Sequence, residues 1–230
     1  MGRPEAFAMQ RFLVLKLDGP MQAWGTHTYE DFRPSNLFPT RSGLLGLVGA
    51  CLGVDRRDRE ELNDLAASVE FAVRMDRMAL RPERDDPKEK DALKLSDFHT
   101  VLDARKVDGS ANKNPVVSRR EYLYDAVFTV AVGERPGALV SLDRIADALR
   151  RPAFTPVLGR RSCPIARPLL DGGPLEATDA KSLLAKVAPV GGVIYAEGEL
   201  VSEQPMQIRD VPVHGRHRQF GTRRVYVHKE

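Results

Sequence analysis

Thr40-Arg41-Ser42-Gly43 opens an apolar helix pattern, and that placement is the first chemistry the sequence offers. The first N–H groups of a helix lack internal acceptors and lie at the positive end of its dipole, so they favour an anion. Two hydroxyls and a guanidinium would add donors, and Gly43 would admit a phosphate closely. Upstream, Gln22 and Trp24 stand in Asp18-Gly-Pro-Met-Gln-Ala-Trp-Gly25, an amide for a base edge and an indole for stacking. Arg33 follows on the same loop. Gly159-Arg160-Arg161-Ser162-Cys163-Pro164 brings two more guanidiniums and a hydroxyl, and His99, Arg105, Lys106, Lys113, Arg119, Arg120 and Tyr122 lie in a turn-rich stretch. Together they fit the holding of a single nucleic-acid strand, with phosphate contacts to position it and aromatics and amides to read splayed bases. Each motif also has a plain structural reading. Thr40 would be an N-cap, Trp24 a partly buried anchor, and Gly46 and Gly49 sites of close helix packing, which leaves Gly43 as the glycine for a ligand.

Charge distribution supports a polyanionic partner more than net charge does, which is only +3. Residues 150–167 contain Arg150, Arg151, Arg160, Arg161 and Arg167 without an acid. Residues 209–230 hold six Lys and Arg and three histidines against two acids. One-sign stretches of this kind suit phosphate-binding surfaces, although a solvated face of a basic protein has the same composition.

Other function classes fit less well. RNA cleavage without a metal needs a base for the 2′-hydroxyl and a cation for the developing phosphorane charge. Tyr29 or His27, His99 and Lys106 are the candidates, and nothing in their spacing brings them together. No phosphate-binding P-loop, dinucleotide fingerprint or H-E-x-x-H occurs. The two cysteines, Cys51 and Cys163, lack ligand-spaced partners, so neither a metal nor another cofactor is expected. The same scarcity of cysteine suits a reducing compartment. Residues 1–8 lack the apolar core of a signal peptide, and no stretch has the roughly 20 apolar residues of a membrane span. A cytoplasmic protein without a membrane partner is expected, with residues 1–8 disordered.

The elements that must position these residues follow from periodicity. Phe12–Leu17 reads as a core strand and Ser42–Leu52 as a helix. Leu62, Leu65, Ala66 and Val69 mark a second helix, and residues 70–76 a strand. Residues 81–91 are a charged loop. Residues 92–123 read as a protruding hairpin arm. A strand over 125–132, a helix over 141–149 and a short strand over 154–158 complete the order βαββαβ. The expected fold is α+β: a ferredoxin-like, modified RNA-recognition domain over 9–163 with the arm inserted at about 92–123. Residues 164–230 are expected as a small β-rich accessory region.

Several of these motifs, in order, resemble the CasD family of type I-E CRISPR Cascade subunits. The resemblance is carried by L-x-G-P-x-Q-x-W-G, P-T-x-S-G-x-x-G-x-x-G, Asp97-Phe-His-Thr-Val101, Arg119-Arg-Glu-Tyr-Leu-Tyr-Asp-Ala126 and Gly159-Arg-Arg-Ser-Cys-Pro164. Arg209-Asp-Val-Pro212 and Arg218-Gln-Phe220 also fit, and the likeness spans about residues 9–228. It implies a non-catalytic subunit that holds the 5′ handle of the CRISPR RNA, with a thumb beside a CasC-type backbone subunit and contact to a CasA-type large subunit. Target DNA would be met indirectly, through guide pairing by the assembly. The resemblance places Thr40, Arg41, Ser42 and Gly43 against handle phosphates, with Gln22 and Trp24 in the loop above them. It adds Arg160, Arg161 and Ser162 from the 159–164 loop, and His99, Arg105, Arg119, Arg120 and Tyr122 from the arm. A type I-C relative that cleaves precursor RNA makes endoribonuclease activity the alternative.

Overall fold

The computed structural model describes residues 9–77, 94–106, 108–198, 205–214 and 219–229. The expectations for 1–8 and 81–91 lie outside these residues. In chain order the strands are β1 (Gln10–Asp18), β2 (Met21–Gln22), β3 (Trp24–Gly25), β4 (Phe32–Arg33), β5 (Ser35–Asn36), β6 (Val69–Arg77), β7 (Lys94–Val101), β8 (Val116–Tyr124), β9 (Val127–Glu134), β10 (Leu175–Ala177), β11 (Val193–Ala196), β12 (Pro205–Val213) and β13 (Gln219–Lys229). The helices are α1 (Arg41–Leu52), α2 (Arg59–Ser68), α3 (Leu142–Arg150) and α4 (Ala180–Leu184).

The protein is mixed α/β with mostly antiparallel sheets. Its main sheet has the order β10-β1-β9-β6-β11-β13-β12, every pair antiparallel. β1 carries the continuous apolar run Phe12–Leu15, followed by Leu17, because both of its faces are covered there. Leu13, Leu15 and Leu17 pack with α1, α2 and α3, while Phe12 and Val14 pack with Leu183 and Leu184 of α4. The period of two in a strand sorts these residues onto two cores.

Two expectations about elements change. Residues 154–158 form no strand, only an isolated bridge between Val157 and Pro164, and the edge beside β1 is taken by β10. The strands expected in the β-rich accessory region over 164–230 join the main sheet: β11, β13 and β12 extend it outward from β6. Alternation in those short segments marks them as strands but carries no information about which sheet they join.

The arm is β7 and β8, paired from Lys94↔Leu123 to Val101↔Val116. β8 also carries β2 and, in parallel, β4, so the long loop after β1 is stitched onto the arm. Among the described residues, no helix is long and apolar enough to cross a membrane.

A buried polar network holds α4 to the sheet. Arg74 Nε donates to Asp76 Oδ1 (2.6 Å), and its NH1 donates to the carbonyls of Leu184, the last residue of α4, and Val187 beyond it. Lys16 Nζ donates to Thr129 Oγ1 (2.6 Å), and Thr129 donates to Asp76 (2.5 Å). Burial lowers the Lys16 pKa, with Asp76 opposing that effect. Removing one charge of such a group strands the other. Arg74→Met is therefore expected to destabilise the fold by about 3–5 kcal/mol, read as a lower urea midpoint at unchanged slope; a shift within error would show that the network contributes little.

Candidate nucleic-acid interface

β8 organises the site because three separate segments attach to it. β4 runs beside it with Phe32↔Arg119 and Arg33↔Arg120 in register. β7 pairs on its other edge with Asp97↔Arg120 and His99↔Ser118. The third segment is the 159–164 loop. There the Arg160 guanidinium lies 4.7 Å above the Tyr122 ring and donates to the carbonyls of Glu121 (2.9 Å) and Arg33 (2.8 Å). Gly159 makes the loop feasible, since at φ 88° a Cβ would stand 1.8 Å from the Ala23 carbonyl oxygen.

Partners in register share a face of a sheet. Arg33, Asp97, His99, Ser118, Arg120 and Tyr122 therefore occupy one face, with Arg160 stacked upon it. The Tyr122 hydroxyl lies 3.1 Å from His99 Nε2 and 3.5 Å from Ser162 Oγ. His99 Nε2 also lies 2.8 Å from Asp97 Oδ2. Arg120 Nε donates to Ser118 Oγ (3.0 Å). Arg161 and Ser162 are exposed beside this face. The result is a cationic surface whose arginines come from sequence positions more than a hundred residues apart. Cys163 is buried in the core, and that burial raises its pKa.

The segment around the start of α1 differs from expectation. Trp24 has no exposed surface; its Nε1 donates to Gln22 Oε1 (3.0 Å), and the Gln22 amide donates to the carbonyls of Leu17 and Ala126. Neither side chain is available to stack on or pair with a base in this conformation. Arg41 is buried, with NH1 2.6 Å from both oxygens of Glu197 and NH2 donating to Ala66 and Val69 carbonyls. Its backbone N–H donates to Asp210 Oδ2 (2.7 Å), and Asp210 is held bidentately by Arg223. The anion expected at the helix start is thus supplied by the chain itself. Thr40 is the N-cap, accepting from Gly43 N (3.3 Å), and Ser42 Oγ lies 3.4 Å from Thr40 Oγ1. Gly43 serves packing: a Cβ there would stand 2.7 Å from Trp24 Cε3. Gly46, expected to pack, faces open space, while Gly49 lies against Leu65 as expected.

Arg105, Lys106 and Lys113 are exposed on the arm's tip, where Arg105 bridges Ala111. Of the groups considered for RNA cleavage, no hydrogen bond or ion pair among the described residues joins His99 to His27, Tyr29 or Lys106. No group of three or more His, Cys, Asp or Glu among the described residues is placed to hold a metal ion. Asp210 and Glu197, which organise the α1 start, were not foreseen. The sequence gives no pairing signal across more than 150 residues, although Asp210 does lie in the C-terminal motif.

Trp24 is the sole tryptophan, so its fluorescence reports this packing. Gly43→Ala forces its Cβ against the indole and is expected to cost about 1–3 kcal/mol, as overpacking does. The measurement is a denaturation curve followed by tryptophan emission. Wild-type stability in this variant would contradict the packing role.

Comparison with known proteins gives a consistent picture. The family described as CRISPR-associated protein (Cas_Cas5) matches residues 12–226. The chain is 44% identical over 223 residues to the CRISPR system Cascade subunit CasD of Escherichia coli (strain K12), covering 96% of this chain and 97% of the relative. A solved CRISPR RNA-guided surveillance complex contains a chain with TM-score 0.71 and 30% identity, covering 95% of this chain and 89% of that one. A crystal structure of a Cas protein aligns with TM-score 0.60 and 26% identity, over 95% and 94% of the two chains.

Proposed function

The chain belongs to the CRISPR-associated Cas_Cas5 family, and from that membership we propose that it is a non-catalytic subunit of a Cascade-type surveillance complex that grips the 5′ handle of the CRISPR RNA. The single observation that carries this reading is the convergence of β4, the arm and the 159–164 loop on one face of β8, with Arg160 stacked on Tyr122. Exposed Arg161, with Arg120 and Arg33, supplies phosphate donors, and the half-buried His99 supplies a ring nitrogen at the same face. Gln22, Trp24, Arg41 and Gly43 act from beneath, by fixing the loop and helix that bear on this face. Arg105, Lys106 and Lys113 reach outward on the arm tip toward RNA as it leaves the site or toward a CasC-type backbone subunit. A CasA-type large subunit completes the assembly, and target DNA meets the chain through the guide. The order β10-β1-β9-β6 is the strand order of a ferredoxin-like unit, which supports reading the core as a modified RNA-recognition domain. Such a complex works in the cytoplasm.

α4 covers one face of the main sheet and α1, α2 and α3 the other. The RNA surface is therefore the arm with its attached loops rather than the sheet face. Arg161→Ala and Arg120→Ala are each expected to weaken binding of labelled repeat-derived RNA and to lower the slope of log affinity against log salt by about 0.7. Unchanged slopes in both variants would remove this face from the RNA site.

A further inference from the structure

The opposite face of the same small sheet carries a second surface. Phe98 pairs with Arg119 in β8, Arg119 pairs with Phe32 in β4, and Phe32 pairs with Tyr29 across the turn that precedes it. Because partners in register project to the same side, these four residues form one row across the sheet: ring, guanidinium, ring, ring. The turn holding Tyr29 is fixed by Phe32 N donating to Tyr29 O (2.8 Å), with Glu30 at φ 47°. Arg119 N donates to Asp31 O (3.0 Å), which ties that turn to β8. The Arg119 guanidinium lies 5.2 Å from the Phe98 ring centroid.

This row is open rather than packed. Phe98 is 65% exposed and Tyr29 70%. Exposing two large rings costs solvation free energy that folding alone does not recover. The acid on this face, Glu121, is neutralised by Lys94 (2.9 Å) and also accepts from Ser35 N (3.1 Å). The row therefore presents aromatic faces and one cation with the Glu121 carboxylate already paired, while Glu30 and Asp31 stand exposed in the turn between Tyr29 and Phe32. A protein partner would call for a continuous apolar patch, whereas a guanidinium between rings suits bases on the rings and phosphate on the cation.

We propose that Tyr29, Phe32, Arg119 and Phe98 form a base-stacking platform for unpaired nucleic acid, with Tyr29 and Phe98 in the stacking role that Trp24 cannot fill. The inference rests on the reading of the arm as an RNA-contacting element, and it adds a second face to that element.

The test uses the full chain and labelled single-stranded oligo(A), some molecules carrying a fluorescent adenine analogue, titrated at several salt concentrations. Tyr29→Ala and Phe98→Ala are each expected to weaken binding roughly 5- to 100-fold, the range for loss of one stacked base, with the salt slope unchanged. They should also abolish quenching of the analogue, while Tyr29→Phe and Phe98→Trp retain both. Wild-type affinity and quenching in both alanine variants would overturn the proposal. So would equal binding of a duplex, whose bases are not free to stack, or loss of a copurifying protein with RNA affinity intact. Failure here leaves the Arg161 and Arg120 result standing, since those residues serve the other face. Unchanged salt slopes for Arg161 and Arg120 with weakened stacking variants would instead sink the handle reading alone.

Discussion

The site depends on one guanidinium. Arg160 lies flat on Tyr122 and bonds the backbone carbonyls of Arg33 and Glu121, so a single side chain joins the 159–164 loop to β4 and β8. A planar, permanently charged fork suits that task, since it can stack and donate in two directions at once. Lysine could supply the charge but not the geometry. Without this pin, the loop bearing Arg161 would move independently of the paired β4 and β8 that carry Arg33 and Arg120. Their charges would attract RNA without defining a register on it.

The start of α1 shows the complementary principle. A helix N-terminus favours an anion, and here Asp210 from β12 fills that place while Glu197 neutralises Arg41 beneath it. Arg223 and Arg135 complete the group. The motif that looks most like a phosphate cradle thus serves internal electrostatics, linking α1 to the C-terminal strands. In the proposed function its effect on RNA is indirect: Gly43 receives the Trp24 indole, Trp24 bonds Gln22, and Gln22 fixes the end of β1 to the start of β9. The proposed RNA contacts therefore fall on the arm, outside this packed base.

Much of the core was legible in the sequence. The apolar run in β1, the spacing in α1, α2 and α3 and the alternation in β9 each announce an element and its buried face. The arm was legible too, from its turn residues and flanking cations. The attachment of β11–β13 to the main sheet was not, because register and neighbour depend on partners far along the chain. Residue type also misled at Trp24 and Arg41: an aromatic and a cation in a loop motif look available until packing closes over them. Conversely, in the sequence Tyr29 reads only as a candidate for RNA cleavage and Phe98 only as part of a motif, since only the pairing of β4, β7 and β8 sets them in a row.

The most direct measurement is a double-mutant cycle on RNA affinity between Arg160→Met and Arg120→Ala, at fixed salt, with thermal melts confirming that each variant remains folded. If Arg160 assembles the cradle, Arg120→Ala should be nearly silent once Arg160 is gone, a coupling of at least about 1 kcal/mol. Additive losses, agreeing within about 0.5 kcal/mol, would show that the arginines act independently and that no pinned cradle exists.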